Sequence, residues 1–300
     1  MAAALIFLAV RNWANLPKVK EDNGRVNLVF LGIGGNDQKP ADLTDTIFFL
    51  SFNKKNGKTL ILSIPRDIWL TSLQAKINTA YHYGGFSLVK SSVQEILEQP
   101  VHYLAVLDFE GFKKVVDFLG GVEIYVRTAF DDYKYPIPGK ENDNCGGDKE
   151  FKCRYEHLYF NKGWEKMNGE RALKYVRSRN AEGEEGTDLA RNLRQQNFLL
   201  ALKDKVLSPK VYLNPQKIFG LVRLFPSLLK TDLKQEEYFT FLLSFLKFDT
   251  KKIEMKVLNG NNEEEFLLYH PQKHSSGQWV LLPIDDNWGK AKDFIKQNLP

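Results

Sequence analysis

Five arginines crowd the stretch RALKYVRSRNAEGEEGTDLARNLRQQ, at Arg171, Arg177, Arg179, Arg191 and Arg194. A guanidinium group is planar, permanently charged and shaped for phosphate oxygens, and a helix N-terminus adds partial positive charge. Thr187-Asp188 reads as a helix start, so arginines gathered about it suggest a site for a multiply charged anion. On a helix from Asp188, residues 188, 191 and 195 share one face, with Arg194 on its shoulder and Leu189, Leu193 and Leu200 on a different stripe. A face of Asp188, Arg191 and Gln195 is polar where a core helix would be apolar. The bland alternative is a solvated face with Asp188 as a cap. Arg177 and Arg179, two residues apart, would project to one side of an extended backbone, or else decorate an exposed strand edge.

Other candidates come from the N-terminal half. Asp45 stands between Thr44 and Thr46 at the entry to an apolar strand, where a carboxylate holds a metal, positions a nucleophile or caps a turn. Arg66 and Asp67 follow Pro65 at the end of another strand, where α/β sheets tend to place their sites. Cys145 and Cys153, the only cysteines, lie in DNCGGDKEFKC. Zinc would need more ligands, and His157 makes a poor third. A local disulfide fits better and implies an oxidising, extracytoplasmic location, with two free thiols as the alternative.

The elements that must position these residues alternate. Val26–Ile33, Thr46–Phe52 and Thr59–Ile64 read as strands, the last two joined by a turn at Asn56-Gly57. A helix over Ser87–Gln99, a strand over Val101–Leu107, a short helix over Gly111–Leu119 closed by Gly120-Gly121 and a strand over Val122–Val126 follow. Phe130–Gly163 has no clear period and reads as a long loop, a functional lid or a disordered segment. Helices are expected from Asn168 to Val176, from Thr187-Asp188 to Leu207, over 215–230 and 235–247, and from Trp288 to Leu299; Lys252–Leu258 and Trp279–Ile284 are late strands. The fold class is α/β, with a mixed sheet and hairpin-linked antiparallel members. No repeat or long linker divides residues 25–300. A net charge of +5 with 26% charged residues is too weak a balance to imply nucleic-acid binding. The apolar run AAALIFLAV before Arg11 is about half of the roughly 20 residues a membrane helix needs, and reads as the outer end of a truncated membrane anchor. A frayed apolar terminus is the alternative.

Taken together, LVFLGIGG, DLTDTIFFLSF, LSIPRDIW, KINTAYHYGG, VDFLGGVEI, MNGERALKYVRSRN and GTDLARNLRQQ resemble the LytR-CpsA-Psr family, in order and in spacing. The resemblance implies an extracytoplasmic, membrane-anchored phosphotransferase that moves a glycopolymer from an undecaprenyl-pyrophosphate carrier to peptidoglycan as a phosphodiester. It implies a single α/β/α layered domain over 25–300, a central mixed sheet flanked by helices, and a lipid pocket between sheet and helices. Residues 1–24 would be anchor and linker. By the same resemblance Arg66, Arg177, Arg179 and Arg191 grip the pyrophosphate, Gln195 supports it, and Asp45 binds Mg²⁺ or orients the attacking hydroxyl. Asp188 holds the arginines or assists at the metal, and Asp67, Arg194, Lys76 and Asn78 complete the substrate site. The acidic loop AEGEEG would be a flexible joint in this clamp.

Two departures stand out. Many members carry Asp where this chain has Gly34, and Arg where it has Leu43. Asp37 or Asp42 replaces the missing carboxylate, or the metal is held more weakly, or Gly34-Gly35 lets backbone amides approach phosphate. Polyprenyl-pyrophosphate hydrolysis and non-catalytic lipid-phosphate binding are the competing readings. A DNA-binding regulator is disfavoured, because the arginines cluster at one site rather than along a recognition helix.

Overall fold

Alternating apolar residues in RVNLVFLGI and TDTIFFLSFN build β1 (Arg25–Ile33) and β2 (Thr44–Asn53), antiparallel with Val29 opposite Phe49 and Leu31 opposite Ile47. The computed structural model describes residues 17–35, 40–238, 240–241, 252–259, 266–285 and 287–299, and of residues 188, 189, 212, 222 and 225 the backbone alone. The chain divides into two compact units. One draws on Met1–Gly34, Asp42–Leu107 and Val222–Pro300, the other on Gly35–Ala41 and Asp108–Leu221.

In the first unit, β2 turns through Gly57, whose φ of +73° favours glycine, into β3 (Thr59–Ser63). Helix α1 (Ala80–Leu97) begins earlier than the sequence suggests, because a kink at Gly84-Gly85 separates a first turn from the periodic stretch. Gly85 holds φ 55° and ψ −143°, so a side chain there would be strained. β4 (Tyr103–Asp108) follows. The six-stranded sheet runs Leu229–Thr231, β4, β1, β2, β3, Ile253–Val257; the first strand is antiparallel to β4 and the last parallel to β3. The sheet is therefore mixed, as expected. Val29, Leu31, Phe49, Leu60 and Leu62 are fully buried on one face, against Val93, Ile96 and Leu97 of α1 and Ile295 of the helix Gly289–Asn298. On the opposite face Leu28, Phe30 and Leu50 are only partly buried.

In the second unit, Asp108 caps α2 (Phe109–Phe118) by accepting from Gly111 N at 2.7 Å, and Gly120-Gly121 ends it. β5 (Val122–Val126) comes next. The expected long loop is bounded by strands: β6 (Phe130–Pro136) pairs with β7 (Tyr155–Phe160), and β8 (Gly163–Met167) pairs back on β5. Its alternation was hidden because Asp132 occupies a buried position and tyrosines occupy exposed ones. Cys145 and Cys153 form a disulfide across the excursion between β6 and β7, their Cα atoms 5.5 Å apart. Asn168 caps α3 (Gly169–Arg177), and Thr187 caps α4 (Asp188–Val206) through its hydroxyl, 3.1 Å from Ala190 N. Gly169 has no alternative, since a Cβ there would lie 2.4 Å from the Lys113 carbonyl oxygen of α2.

Three expected elements change. The helix over 215–230 is Pro215–Leu228, and Leu229–Thr231 leaves it as an edge strand. The late strand over Trp279–Ile284 shortens to Leu282–Pro283. The helix over 235–247 is described only as the 3₁₀ turn Gln235–Glu237 and its exit, because residues 242–251 lie outside the described part. The apolar N-terminal run also lies outside it. Among the described residues no helix is long and apolar enough to cross a membrane.

Candidate active site

Asp45 owes its exposure to an irregular ladder. Gly32 pairs with Thr46 and Ile33 with Thr44, so Asp45 is the extra residue of a β-bulge in β2. Bulges re-aim side chains and recur beside active sites. Here the Oδ1 of Asp45 accepts from Arg66 Nη1, while its Oδ2 takes no hydrogen bond among the described residues. Arg66 Nε lies 3.5 Å from Asp67 Oδ2, and Lys76 Nζ lies 2.8 Å from Asp67 Oδ1. The result is a chain of alternating charges, Asp45–Arg66–Asp67–Lys76, in which two cations face two carboxylates. Backbone bonds fix it, since Asn78 N donates to the Arg66 carbonyl at 3.3 Å and Thr44 Oγ1 to the Asn78 carbonyl at 3.1 Å. Asn78 Oδ1 is a buried acceptor with no hydrogen-bond partner among the described residues.

A Mg²⁺ ion needs one or two carboxylates and completes its shell with water and substrate phosphates. Asp45, half-bonded and partly exposed, meets that requirement. Asp42 is paired instead with His82 Nδ1 at 2.7 Å, and Asp37 lies outside the described residues. The single cluster of three potential metal ligands among the described residues, Asp143 with Cys145 and Cys153, is elsewhere, and its two sulfurs are joined to each other.

In the second unit the arginine-rich stretch divides by use. Arg177 is the last residue of α3 rather than part of a strand, because Asn168 starts that helix early enough for it to run to 177. Its guanidinium lies 4.0 Å from the Phe109 ring centroid and 5.5 Å from that of Tyr135, and Nη1 donates to the Tyr135 hydroxyl at 3.1 Å. Burial pushes the Tyr135 phenol up to about 12, against the opposing charge of Arg177. Arg179 is exposed between Ser178 and Asn180. Fully buried Asp132 holds both neighbours: Oδ2 accepts from Ser178 Oγ at 2.7 Å and from Asn180 N at 3.3 Å. Neither Arg177 nor Arg179 has a carboxylate within ion-pair distance among the described residues.

Arg194 is different, and the expectation that it binds substrate is corrected by its contacts. It is 4% exposed; its guanidinium donates to the carbonyls of Tyr175, Ser178 and Glu185, and meets Glu185 Oε2 at 2.6 Å. With every arm taken internally it ties α3 and the acidic loop to α4. Burial holds its pKa below the ordinary arginine range. The acidic loop is consequently pinned and not a flexible joint. Glu182 N donates to the Asp131 carbonyl at 3.0 Å, and a Cβ on Gly186 would fall 2.1 Å from the Ala181 carbonyl.

The start of α4 is inverted. Arg191, Arg194, Gln195 and Gln196 are 4–9% exposed, while Leu193 is 49% exposed. A solvated polar face does not account for this pattern, because the polar side chains point inward. Gln195 Nε2 donates to the Val176 carbonyl at 3.2 Å, beside Arg177. Asp188 heads the helix, its side chain outside the described residues. Arg171 stays on the far side of α3, bound to Glu165 at 2.6 Å. Asp132, Tyr135 and Phe109 were missed from sequence. The signal available was a carboxylate at a buried position of an aromatic strand, legible only once that strand is recognised.

The site can be set beside known proteins. The crystal structure of TagV from Bacillus subtilis superposes with a TM-score of 0.66 at 26% identity, covering 93% of this chain and 98% of that one. The family protein YwtF (TagT) with bound octaprenyl pyrophosphate lipid superposes with a TM-score of 0.60 at 25% identity, covering 94% of each chain. In sequence, the polyisoprenyl-teichoic acid–peptidoglycan teichoic acid transferases TagV and TagT of Bacillus subtilis are 28% and 30% identical over 79% and 65% of this chain. The chain spans 57% and 58% of the lengths of those two relatives. The model of the LytR_cpsA_psr family matches residues 10–279, and the chain belongs to that family.

Proposed function

We propose that this chain transfers a glycopolymer from a polyprenyl-pyrophosphate carrier to peptidoglycan. One observation carries the reading: of the arginines in the 171–194 stretch, Arg171 and Arg194 are neutralised by Glu165 and Glu185, while Arg177 and Arg179 keep their charge without a carboxylate partner among the described residues. Uncompensated, positioned guanidinium groups are what a pyrophosphate selects. The relatives named as teichoic acid transferases, and the one holding octaprenyl pyrophosphate, support the same chemistry. The partly buried sheet face of Leu28, Phe30 and Leu50 is a candidate bed for the prenyl chain.

In the reaction a peptidoglycan hydroxyl attacks the phosphorus that carries the glycopolymer, the phosphoanhydride P–O bond breaks, and polyprenyl phosphate leaves. Such transfer needs positioning and charge neutralisation more than covalent help. The second unit offers the phosphate oxygens Arg177, Arg179 and Arg191, with Gln195 orienting the Arg177 backbone; the first unit offers Arg66, and Asp45 to take a hydroxyl proton or hold Mg²⁺. Bound there, the ion would offset charge on the leaving phosphate and acidify the hydroxyl. Asp67 and Lys76 keep Arg66 in place, and the free Asn78 Oδ1 is an acceptor for a substrate hydroxyl. The Cys145–Cys153 disulfide supports an extracytoplasmic site of action.

The test is to incubate the full chain with a labelled lipid-linked glycan, with and without peptidoglycan. Label attached to peptidoglycan supports the transfer. Free phosphorylated glycan with no attachment would show hydrolysis instead, and binding without turnover a carrier. Arg177→Ala and Arg179→Ala should each lower attachment more than tenfold in a folded protein, roughly the loss of one charge-assisted contact. Normal turnover in both variants overturns the pyrophosphate assignment.

A further inference from the structure

The outer face of the hairpin β6–β7 plays no part in the phosphate chemistry. Phe130, Asp132, Leu158 and Phe160 alternate inward, where they are buried. Asp131, opposite Tyr159, and Pro136, opposite Tyr155, therefore stand outward, with His157 between the two tyrosines on β7. Tyr133 sits where the register shifts and lies flat against His157, ring centroids 4.1 Å apart and planes 5° from parallel. His157 Nε2 is held by Asp131 Oδ1 at 2.7 Å. Tyr133 and Tyr159 are each 53% exposed and Tyr155 37%. None of these three phenols takes a hydrogen bond among the described residues.

Rings grouped on a surface mark a contact site, and the composition of the face says what fits it. No Leu, Ile, Val or Met stands on it, so an acyl chain would meet phenols it cannot satisfy. The Asp131 carboxylate disfavours a polyanion. A pyranose ring matches it, because its axial C–H bonds pack on aromatic faces while its hydroxyls exchange hydrogen bonds with phenol, imidazole and carboxylate. Tyr155, His157 and Tyr159 span about 13 Å along β7, room for more than one ring of a sugar chain.

The hairpin is also bonded directly to the turn that carries Arg179. Asp132 bridges to Ala181, Glu182 N donates to the Asp131 carbonyl at 3.0 Å, and Asn180 Nδ2 donates to the Lys134 carbonyl at 3.0 Å. Transfer has two sugar-bearing substrates. The donor is gripped through its phosphates. The acceptor strand offers the arginines no phosphate, yet its hydroxyl must be positioned as closely as the donor. We propose that the outer face of β6–β7, through Tyr133, Tyr155, His157 and Tyr159, binds the glycan strand of peptidoglycan and holds it beside the Arg179 turn. The choice of that glycan rests on the transfer reading, whereas sugar binding by the face can be measured without any donor.

The test is cosedimentation of the full chain with peptidoglycan sacculi freed of attached polymers, with no lipid-linked donor present, so failure of the transfer reaction leaves the result intact. Each stacked ring is worth about a fivefold change in affinity. Tyr133→Ala with Tyr159→Ala should therefore weaken sedimentation at least tenfold, while Tyr133→Phe with Tyr159→Phe, which keeps both rings, should stay within about threefold of the parent. Excess soluble β-1,4-linked N-acetylglucosamine oligomer should compete. In transfer assays the double alanine variant should raise KM for the acceptor and leave KM for the donor unchanged. Circular dichroism checks that each variant is folded. Sacculus binding that survives the double alanine substitution overturns the proposal. So does failure of the oligomer to compete, which would assign the binding to stem peptides, and so does a raised donor KM with sacculus binding unchanged, which would assign the face to the donor glycan.

Discussion

Replacing Arg194 with methionine separates two uses of one residue. The family resemblance put Arg194 with the substrate groups, while its contacts put it in the framework. Methionine keeps the length of the stem and removes four donors' worth of bonding, to the carbonyls of Tyr175, Ser178 and Glu185 and to the Glu185 carboxylate. Bonds to a charged donor contribute about 1.5–3 kcal/mol each but do not add, and removing one partner of a buried pair costs about 3–5 kcal/mol. Glu185 keeps some contact with water, its side chain 24% exposed, so the lower end applies, about 3 kcal/mol. Urea unfolding should show that loss, and amide exchange around Tyr175–Ser178 should accelerate by about two orders of magnitude. Glu185→Gln alone should cost about 1 kcal/mol, and the double variant should reveal a coupling of about 1–2 kcal/mol. If Arg194→Met unfolds at the wild-type midpoint and loses only pyrophosphate affinity, the framework role is wrong.

Three further outcomes follow from other contacts. Tyr135→Phe keeps the ring beside Arg177 and removes its hydroxyl, so KM for the lipid-linked substrate should rise about fivefold with kcat little changed. The same variant alters alkaline stability. The Tyr135 phenol moves from 10.0 in the unfolded chain to about 12 in the fold, so its contribution is complete below pH 10 and is lost as pH rises towards 12. Tyr135→Phe should flatten that decline by one proton's share in a stability titration, Tyr103 and Tyr175 keeping theirs. Gly186→Ala must push the acidic loop off Ala181, two residues after Arg179, and should cost about 1–3 kcal/mol in urea unfolding while lowering transfer. Asp45→Ala should abolish any Mg²⁺ dependence of transfer; dependence that survives unchanged assigns the metal to another carboxylate.

Much was legible in the sequence because it was local. Alternation set β1, β2 and β3; Asn168 and Thr187 announced the caps of α3 and α4; Gly120-Gly121 closed α2. The spacing of the arginines was enough to mark a candidate site, and two cysteines in one loop were enough to suggest their disulfide. Which arginine does what was not legible. Arg177 and Arg194 are the same residue type on neighbouring helices, yet one faces two rings and the other four acceptors. That division depends on Glu185 of the acidic loop, and on Asp132 and Tyr135, brought in from a hairpin whose buried carboxylate disguised it as a loop. Asp45, likewise, shows in sequence as a carboxylate in a strand, and only the register of β1 against β2 makes it a bulge. Residue type and period are properties of the chain, whereas the neutralisation of a charge depends on which partner the fold brings within a few ångströms of it.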